Sequence, residues 1–404
     1  MSGFFLRAYC LGCQPLWLDE AYTVHAAHAV LDRGYPLMGS GSLYTNNFVS
    51  VYAAALTIKI FGFDPFNPWV VRLPGVLFGT LLIYCVYALA RALFSRADVS
   101  LASAFIVAFL YYEIAWSRQA RGYAALAVFI VLTTLFLWKY FESRRRSDLA
   151  LTMVFFILAA LSHWVALAFL PAFVLMLHDR PRSFILQSKK RVAYLIFVIL
   201  VGYISILLAL DMWVMLPRYV LFPFLPLWTV LAVYMCMKVV DLTLANRLPK
   251  RVRSLIAFLI LVSVVAPFYN FIPRKAYAIN LVSPQPDYNG AYGLIHQIMR
   301  PDDVIISIHP ALANLYLGRY GLWIPAQSMS EREADFYSGV NPIRTLEQLK
   351  GIIENSHGFI VIDGYVFKML RNNRMHYIVD NSRIRLLFYS HGSSPSGQIW
   401  VYRF

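Results

Sequence analysis

In this chain of 404 residues 59% are hydrophobic, 16% aromatic and only 14% charged, with a mean hydropathy of +0.58; soluble globular chains carry nearer a quarter charged residues, so an ordinary soluble protein is excluded. The 36 Lys and Arg against 21 Asp and Glu leave a net charge of +15, but the surplus sits in a few short loops between apolar runs. It therefore reports membrane orientation and argues against a nucleic-acid partner. The four cysteines are too scattered for a disulfide framework, since Cys85 and Cys236 fall in apolar runs. Cys10 and Cys13 form a lone C-x-x-C with no second pair to complete a zinc site, and read as two free thiols.

Residues 1–18 carry Arg7 too early to make either a secretory signal or a span. Ala21 to Leu31 is an alanine-rich helix. Phe48 to Phe63 is apolar but contains Lys59, and reads as an amphipathic helix on the outer surface. Runs approaching the length that crosses a bilayer follow at Leu73 to Leu93, Leu101 to Trp116, Tyr123 to Trp138, Val192 to Leu210, Tyr219 to Met237 and Leu255 to Ile272. Lys and Arg cluster in the loops holding Arg91 and Arg96, Lys139 and Arg144 to Arg146, Arg180 to Arg191, and Lys238 to Arg253, which the positive-inside rule makes cytoplasmic. Leu149 to Leu177 starts and ends on that side yet is short for two full helices. It reads as a hairpin turning near Ser162, His163 and Trp164, or as a re-entrant segment.

This scheme puts Asp19 to Arg72, the Ser117 to Gly122 turn, Asp211 to Arg218 and everything after Ile272 outside the cytoplasm. From Pro273 the composition turns polar. Strand-like Asp303 to His309, helix-like Thr345 to Asn355, strand-like Gly358 to Asp363 and a final pair at Ile384 to Tyr389 and Gln398 to Phe404 predict a small α/β domain. The fold class is thus an α-helical polytopic membrane protein with a C-terminal extracytoplasmic α/β domain. The segments are 1–72 (first outer loop), 73–272 (transmembrane) and 273–404 (outer domain).

Pro15 to Tyr22 reads PLWLDEAY. Asp19, partly desolvated at the membrane surface, can take a proton from an acceptor hydroxyl, with Glu20 orienting it or helping to hold a cation. Asp19 capping the helix that follows is an equally open reading. In Ser117 to Tyr123, SRQARGY, Arg118 and Arg121 lie on one face if the turn is helical and can grip a phosphate. Snorkelling at a span end is the alternative. Glu113, one turn earlier, pairs with one of those arginines. Arg218, in LPRY at the mouth of another span, is a further phosphate contact. His163 either faces the same cavity or packs. His25 and His28 lie one turn apart, but nothing completes a metal shell around them.

Together these elements resemble the C-type glycosyltransferases, in the branch that includes protein O-mannosyltransferases and lipid A aminoarabinose transferases. LWLDEAY resembles that family's acidic motif, GYPLMGSGSL with Tyr44 the segment after it, KIFG and RLPG its LFG and RLPS elements, SRQARGY its SRxxRxY turn, and PRYVLFPFLP its RYLL-x-x-P element. The resemblance implies inverting transfer of a sugar from a polyprenyl phosphate donor to an acceptor outside the cytoplasm: protein, lipid A or polysaccharide. It makes Asp19 the base or substrate-positioning acid, supported by Glu20. Arg118, Arg121 and Arg218 bind the departing phosphate, whose charge grows in the transition state. Tyr44, Tyr123 and His163 contact substrate.

Some relatives bind a divalent metal near the acidic motif, which would make Asp19 its ligand here. Family members carry a complete span before that motif, whereas 18 residues precede Asp19, so the resemblance implies a chain lacking the first transmembrane helix. Asn46, Asn47 and Phe48 stand where aminoarabinose-type members have Lys-Pro-Pro. Two other readings compete with a cell-membrane transferase: a transporter or flippase of a lipid-linked substrate, which calls for ionisable residues or broken helices in mid-membrane, and an inactive truncated glycosyltransferase.

Overall fold

The computed structural model describes residues 2–178, 196–199, 201, 222–265, 286–325, 333–364, 373–391 and 397–404. In chain order its helices are α1 (Ser2–Ala8), α2 (Leu18–Arg33), α3 (Phe48–Phe61), α4 (Trp69–Phe94), α5 (Ala97–Phe109), α6 (Tyr111–Ser117), α7 (Tyr123–Ser143), α8 (Arg146–Ser162), α9 (Leu170–His178), α10 (Phe222–Leu244), α11 (Lys250–Val265), α12 (Tyr288–Ile298), α13 (Pro310–Leu317), α14 (Leu346–Asn355) and α15 (Asn373–Asp380). The strands are β1 (Val304–Ser307), β2 (Leu322–Trp323), β3 (Gly358–Asp363), β4 (Arg385–Ser390) and β5 (Ile399–Arg403). Two compact units divide the chain. One holds Met1–Tyr9, Asn46–Ser50 and Leu73–Tyr277, the other Cys10–Thr45, Val51–Arg72 and Ala278–Phe404.

In the first unit, three helices among the described residues are long and apolar enough to cross a bilayer: α4, α7 and the Phe224–Leu244 part of α10. Taken together, α5 and α6 give a fourth, bent by 57°. The sequence predicts one continuous span from Leu101 to Trp116; the structure interrupts it at Leu110, which turns extended at φ −66° and ψ 121°. A break in lipid must find donors for the carbonyls it releases. Arg7 supplies them, donating from Nη1 to Ala108 O at 3.0 Å and from Nη2 to Val107 O at 3.1 Å.

The hairpin expected in Leu149 to Leu177 turns at His163, between α8 and a 3-10 segment, Trp164–Phe169, that leads into α9. The Val192 to Leu210 span lies for the most part outside the described residues, as do the Arg180 to Arg191 cluster and the tail of the last span. At one end of the unit Arg96 reaches Asp98 at 2.6 Å and Asp241 at 2.7 Å, Asp241 also takes Arg253 at 3.0 Å, and Ser254 donates to Asp98 at 2.7 Å. Two loops that the charge pattern assigns to a single side of the membrane are thereby joined to one another. Along α3, which from Val51 onward belongs to the second unit, Tyr52, Leu56 and Ile60 are exposed at four-residue spacing while Val51, Ala55 and Ile58 are buried. An exposed apolar stripe on a short helix suits a bilayer surface.

The second unit is built on a five-stranded sheet of order β2-β1-β3-β5-β4, with β1, β2 and β3 parallel and β5 antiparallel to both β3 and β4. Alternate residues of β3 face opposite layers. Ile360 and Ile362 pack with Leu349 and Ile353 of α14, and Phe359 and Val361 with Tyr288, Ala291 and Tyr292 of α12 and Leu312 of α13. Ala21 of α2 belongs to that second layer, so the helix carrying the acidic motif is built into the α/β unit.

Tyr288 is buried there and donates to Asp363 Oδ2 at 2.7 Å. Burial first, and the Asp363 charge second, push its phenol well above the ordinary range; burial does the same to Tyr292 and Tyr316. Protons held more tightly in the folded chain than in the unfolded contribute stability that is complete below about pH 10 and is lost as the pH rises further. Melting of the solubilised chain is accordingly expected to be level from pH 7 to 9 and to fall above pH 10. Tyr288→Phe should melt lower at neutral pH and show a shallower alkaline fall; an unchanged alkaline slope would contradict this account.

Candidate active site

The acidic motif lies at the start of α2. Helix geometry begins at Leu18, one residue before Asp19, so the capping position falls to Trp17 and Asp19 sits inside the first turn. That overturns the capping reading and leaves the milder role of an acid near the positive end of the helix dipole. Asp19 is half-buried, whereas Glu20 is fully buried.

Glu20 forms a two-pronged ion pair with Arg72, whose Nε donates to Oε1 at 2.9 Å and Nη2 to Oε2 at 2.8 Å. The same guanidinium donates from Nη1 to Leu11 O (2.9 Å) and Gln14 O (2.8 Å) and from Nη2 to Pro15 O (2.9 Å). All five of its N–H groups are thus engaged. Arg72 ties the chain before the motif to the motif itself. In the sequence, the position of Arg72 in RLPG is the signal for this role.

The stretch before the motif is further closed by a disulfide between Cys10 and Cys13, which corrects the expectation of free thiols. The metal implied for the acidic motif is not supported by the donor set: both Glu20 oxygens are committed to Arg72, leaving Asp19 as the one carboxylate of the pair to offer.

Around Tyr22 on the same helix, Tyr337 lies at 3.9 Å between ring centroids, and Tyr44, 2% exposed, stands 5.9 Å from Tyr337. The Tyr22 phenol is pushed well above its ordinary range, chiefly by burial and then by the carboxylates of Asp335 and Asp19. The structure therefore gathers Asp19 and Tyr44 with Tyr22, Asp335 and Tyr337. The last two sit more than 300 residues downstream in a polar stretch with no distinguishing pattern. His25, on α2, donates from Nε2 to Ala311 O at 2.7 Å, and burial lowers its pKa.

The other predicted residues lie in the first unit, around the turn from Ser117 to Tyr123. Gly75 of RLPG meets this turn so closely that a Cβ there would stand 2.7 Å from Ser117 O and 2.8 Å from Gln119 O. At Gly122 a Cβ would come within 2.6 Å of Asn47 Oδ1 and collide with Ser162 O. Two glycines 47 residues apart in sequence, Gly75 and Gly122, are thus required for the same contact region. Asn47 is buried in the left-handed region at φ 60°, which Asn tolerates, and Ser50 Oγ donates to Arg121 O at 3.2 Å.

Arg118 is buried and donates from Nη1 to Arg7 O at 2.7 Å and Tyr9 O at 2.6 Å, gripping carbonyls at the end of α1. Arg121, 9% exposed, lies 5.8 Å from the Tyr123 ring centroid. Tyr123 in turn stacks on His163 at 5.1 Å. His163 accepts from Val165 N through Nδ1 at 3.2 Å, capping the 3-10 segment. Glu113 is buried, and the cation facing it is Arg7, where the sequence pairs it with Arg118 or Arg121. Arg218 lies outside the described residues.

Comparison with known proteins bears on this arrangement. Residues 46–209 match the family described as dolichyl-phosphate-mannose-protein mannosyltransferase. No curated protein matches the chain. Among solved structures, ArnT from Cupriavidus metallidurans in the apo state superposes with a TM-score of 0.58 at 11% identity, covering 98% of this chain and 95% of ArnT. The chain has the fold of ArnT. The same enzyme bound to undecaprenyl phosphate gives a TM-score of 0.57 at 11% identity, over 99% of this chain and 96% of its own. The likeness in fold thus takes in residues of both units, those of the α/β sheet included.

Proposed function

We propose that this chain is a membrane glycosyltransferase that moves a sugar, with inversion, from a polyprenyl phosphate donor to an acceptor outside the cytoplasm. The observation that carries the proposal is the acidic motif. Arg72 fixes Glu20 by two hydrogen bonds and thereby holds α2, on which Asp19 stays half-buried beside Tyr22. Asp19 takes the proton from the acceptor hydroxyl as the sugar transfers, the role of a positioned general base. Arg121, with Arg118 behind it in the turn and Arg218 as a further contact, stabilises the phosphate that leaves. Tyr44, Tyr123 and His163 shape the substrate surroundings. The match to a dolichyl-phosphate-mannose family and the polyprenyl phosphate bound to ArnT support the donor class. Integration of α2 into the α/β unit supports a share for that unit in choosing the acceptor.

The test is incubation of membranes containing the chain with a panel of labelled polyprenyl phosphate sugars, following label as it leaves the lipid. Consumption of one donor is expected, and Arg121→Ala should lower donor use by about tenfold or more, with Arg121→Lys retaining part of it because a point charge remains. Equal losses would show that Arg121 acts through its planar fork or its packing instead. One observation favours a second reading: a helix broken at Leu110 beside buried Glu113 and Arg7 is a feature expected of a transporter. Absence of donor consumption, together with movement of the lipid-linked sugar across the bilayer, would make that reading the right one.

A further inference from the structure

Away from the acidic motif, the starts of β1 and β3 place Asp302, Asp303 and His357 together. The two strands run parallel in register from Val304 opposite Gly358, and Val304 N donates to His357 O at 2.9 Å, so the residues just ahead of each strand are held side by side by the ladder. His357 Nε2 stands 3.2 Å from Asp302 Oδ2 and 3.9 Å from Asp303 Oδ1. One donor atom from each of the three lies within 4.8 Å of the others.

Asp303 distinguishes the group from a surface ion pair. Its side chain is 0% exposed. Oδ2 accepts from Arg300 N at 2.7 Å, while Oδ1 is buried and makes no hydrogen bond among the described residues. A buried carboxylate oxygen without a donor is costly, and His357, at 3.9 Å, is too far to donate one. A cation between the three satisfies that oxygen. With zinc–nitrogen and zinc–oxygen bonds of about 2.1 Å, a tetrahedral site has nitrogen-to-oxygen edges of about 3.4 Å, which the separations of 3.2 and 3.9 Å bracket.

We propose that Asp302, Asp303 and His357 form a zinc site that clasps the beginnings of two adjacent parallel strands, with water completing the shell. One imidazole and two carboxylates suit zinc better than magnesium or calcium, which take oxygen alone. The outward position of His357 and Asp302, 42% and 68% exposed, gives the ion its entry path. The site is independent of the acidic motif and of the transferase reading.

The full chain in detergent, stripped by a chelator and titrated with Zn²⁺ against a competing chromogenic indicator, is expected to take up zinc. Asp303→Asn and His357→Ala should each weaken uptake by at least about tenfold, whereas Asp19→Asn should leave it unchanged. Should Asp303→Asn fail to fold, His357→Ala decides the matter, because its side chain is half in solvent and its loss opens no core. No uptake by the wild type, or equal uptake by wild type and His357→Ala, would overturn the proposal.

Discussion

Asp19→Asn is expected to lower sugar transfer by about 10²- to 10⁴-fold, the range that a positioned general base contributes, while leaving the chain folded and in the membrane. The amide keeps the shape of the carboxylate but cannot hold the proton. Asp19 lies in the first turn of α2 without being its cap, so what the helix itself loses is a favourable dipole term of about 0.3–1 kcal/mol. A fall in transfer far larger than any fall in thermal stability therefore separates chemistry from folding. The check is label remaining on the polyprenyl lipid, with melting of the same preparation beside it. Transfer within twofold of wild type would remove Asp19 from the reaction.

Arg72→Ala carries the other large effect, on stability first. It leaves Glu20, which is fully buried, without its cation, and breaking a buried pair from one side costs about 3–5 kcal/mol. Carbonyls of Leu11, Gln14 and Pro15 lose their donor as well. Arg72→Lys should recover only a part, since an ammonium offers three donors where five are used. Replacing both partners, Glu20→Leu with Arg72→Met, removes the stranded charge and should be more stable than Arg72→Ala alone, though below wild type because the three carbonyls stay unmatched. Transfer should remain low in the double variant, as α2 is no longer pinned to the segment before it. Melting temperatures in the order wild type, double variant, Arg72→Ala are the expected result. A double variant no more stable than Arg72→Ala would show that the carbonyl contacts, not the ion pair, dominate.

What could be read from the chain beforehand follows from the range of the interactions involved. The buried strand Gly358–Asp363 was legible residue for residue, because a central strand covered on both faces is a continuous apolar run between turn residues. The two-residue strand Leu322–Trp323 was not, since its pairing with β1, and of Trp323 with Pro342, makes it a strand. Leu110 has neither Gly nor Pro beside it to announce a break; Arg7, about 100 residues earlier, supplies donors that make the break tolerable. In the candidate site, Asp19, Tyr44, Arg121 and Tyr123 stood out through motifs. The pairing of Arg72 with Glu20 did not, nor did Asp335 and Tyr337, because their significance lies in partners 52 or more residues distant. Cys10 and Cys13 were visible as a spacing, yet whether they join depends on the compartment as much as on the sequence.

Arg7 also sets an order of events during synthesis. Its acceptors, Val107 O and Ala108 O, emerge 100 and 101 residues after it. At about 5–20 residues per second that is a delay of about 5–20 seconds. Until then α1 has no carbonyls from α5 to grip, and α5 has no guanidinium to close its break. Neither half of the contact can mature alone. The segment carrying Arg7 is thus locked into the membrane unit only after α5 has been made.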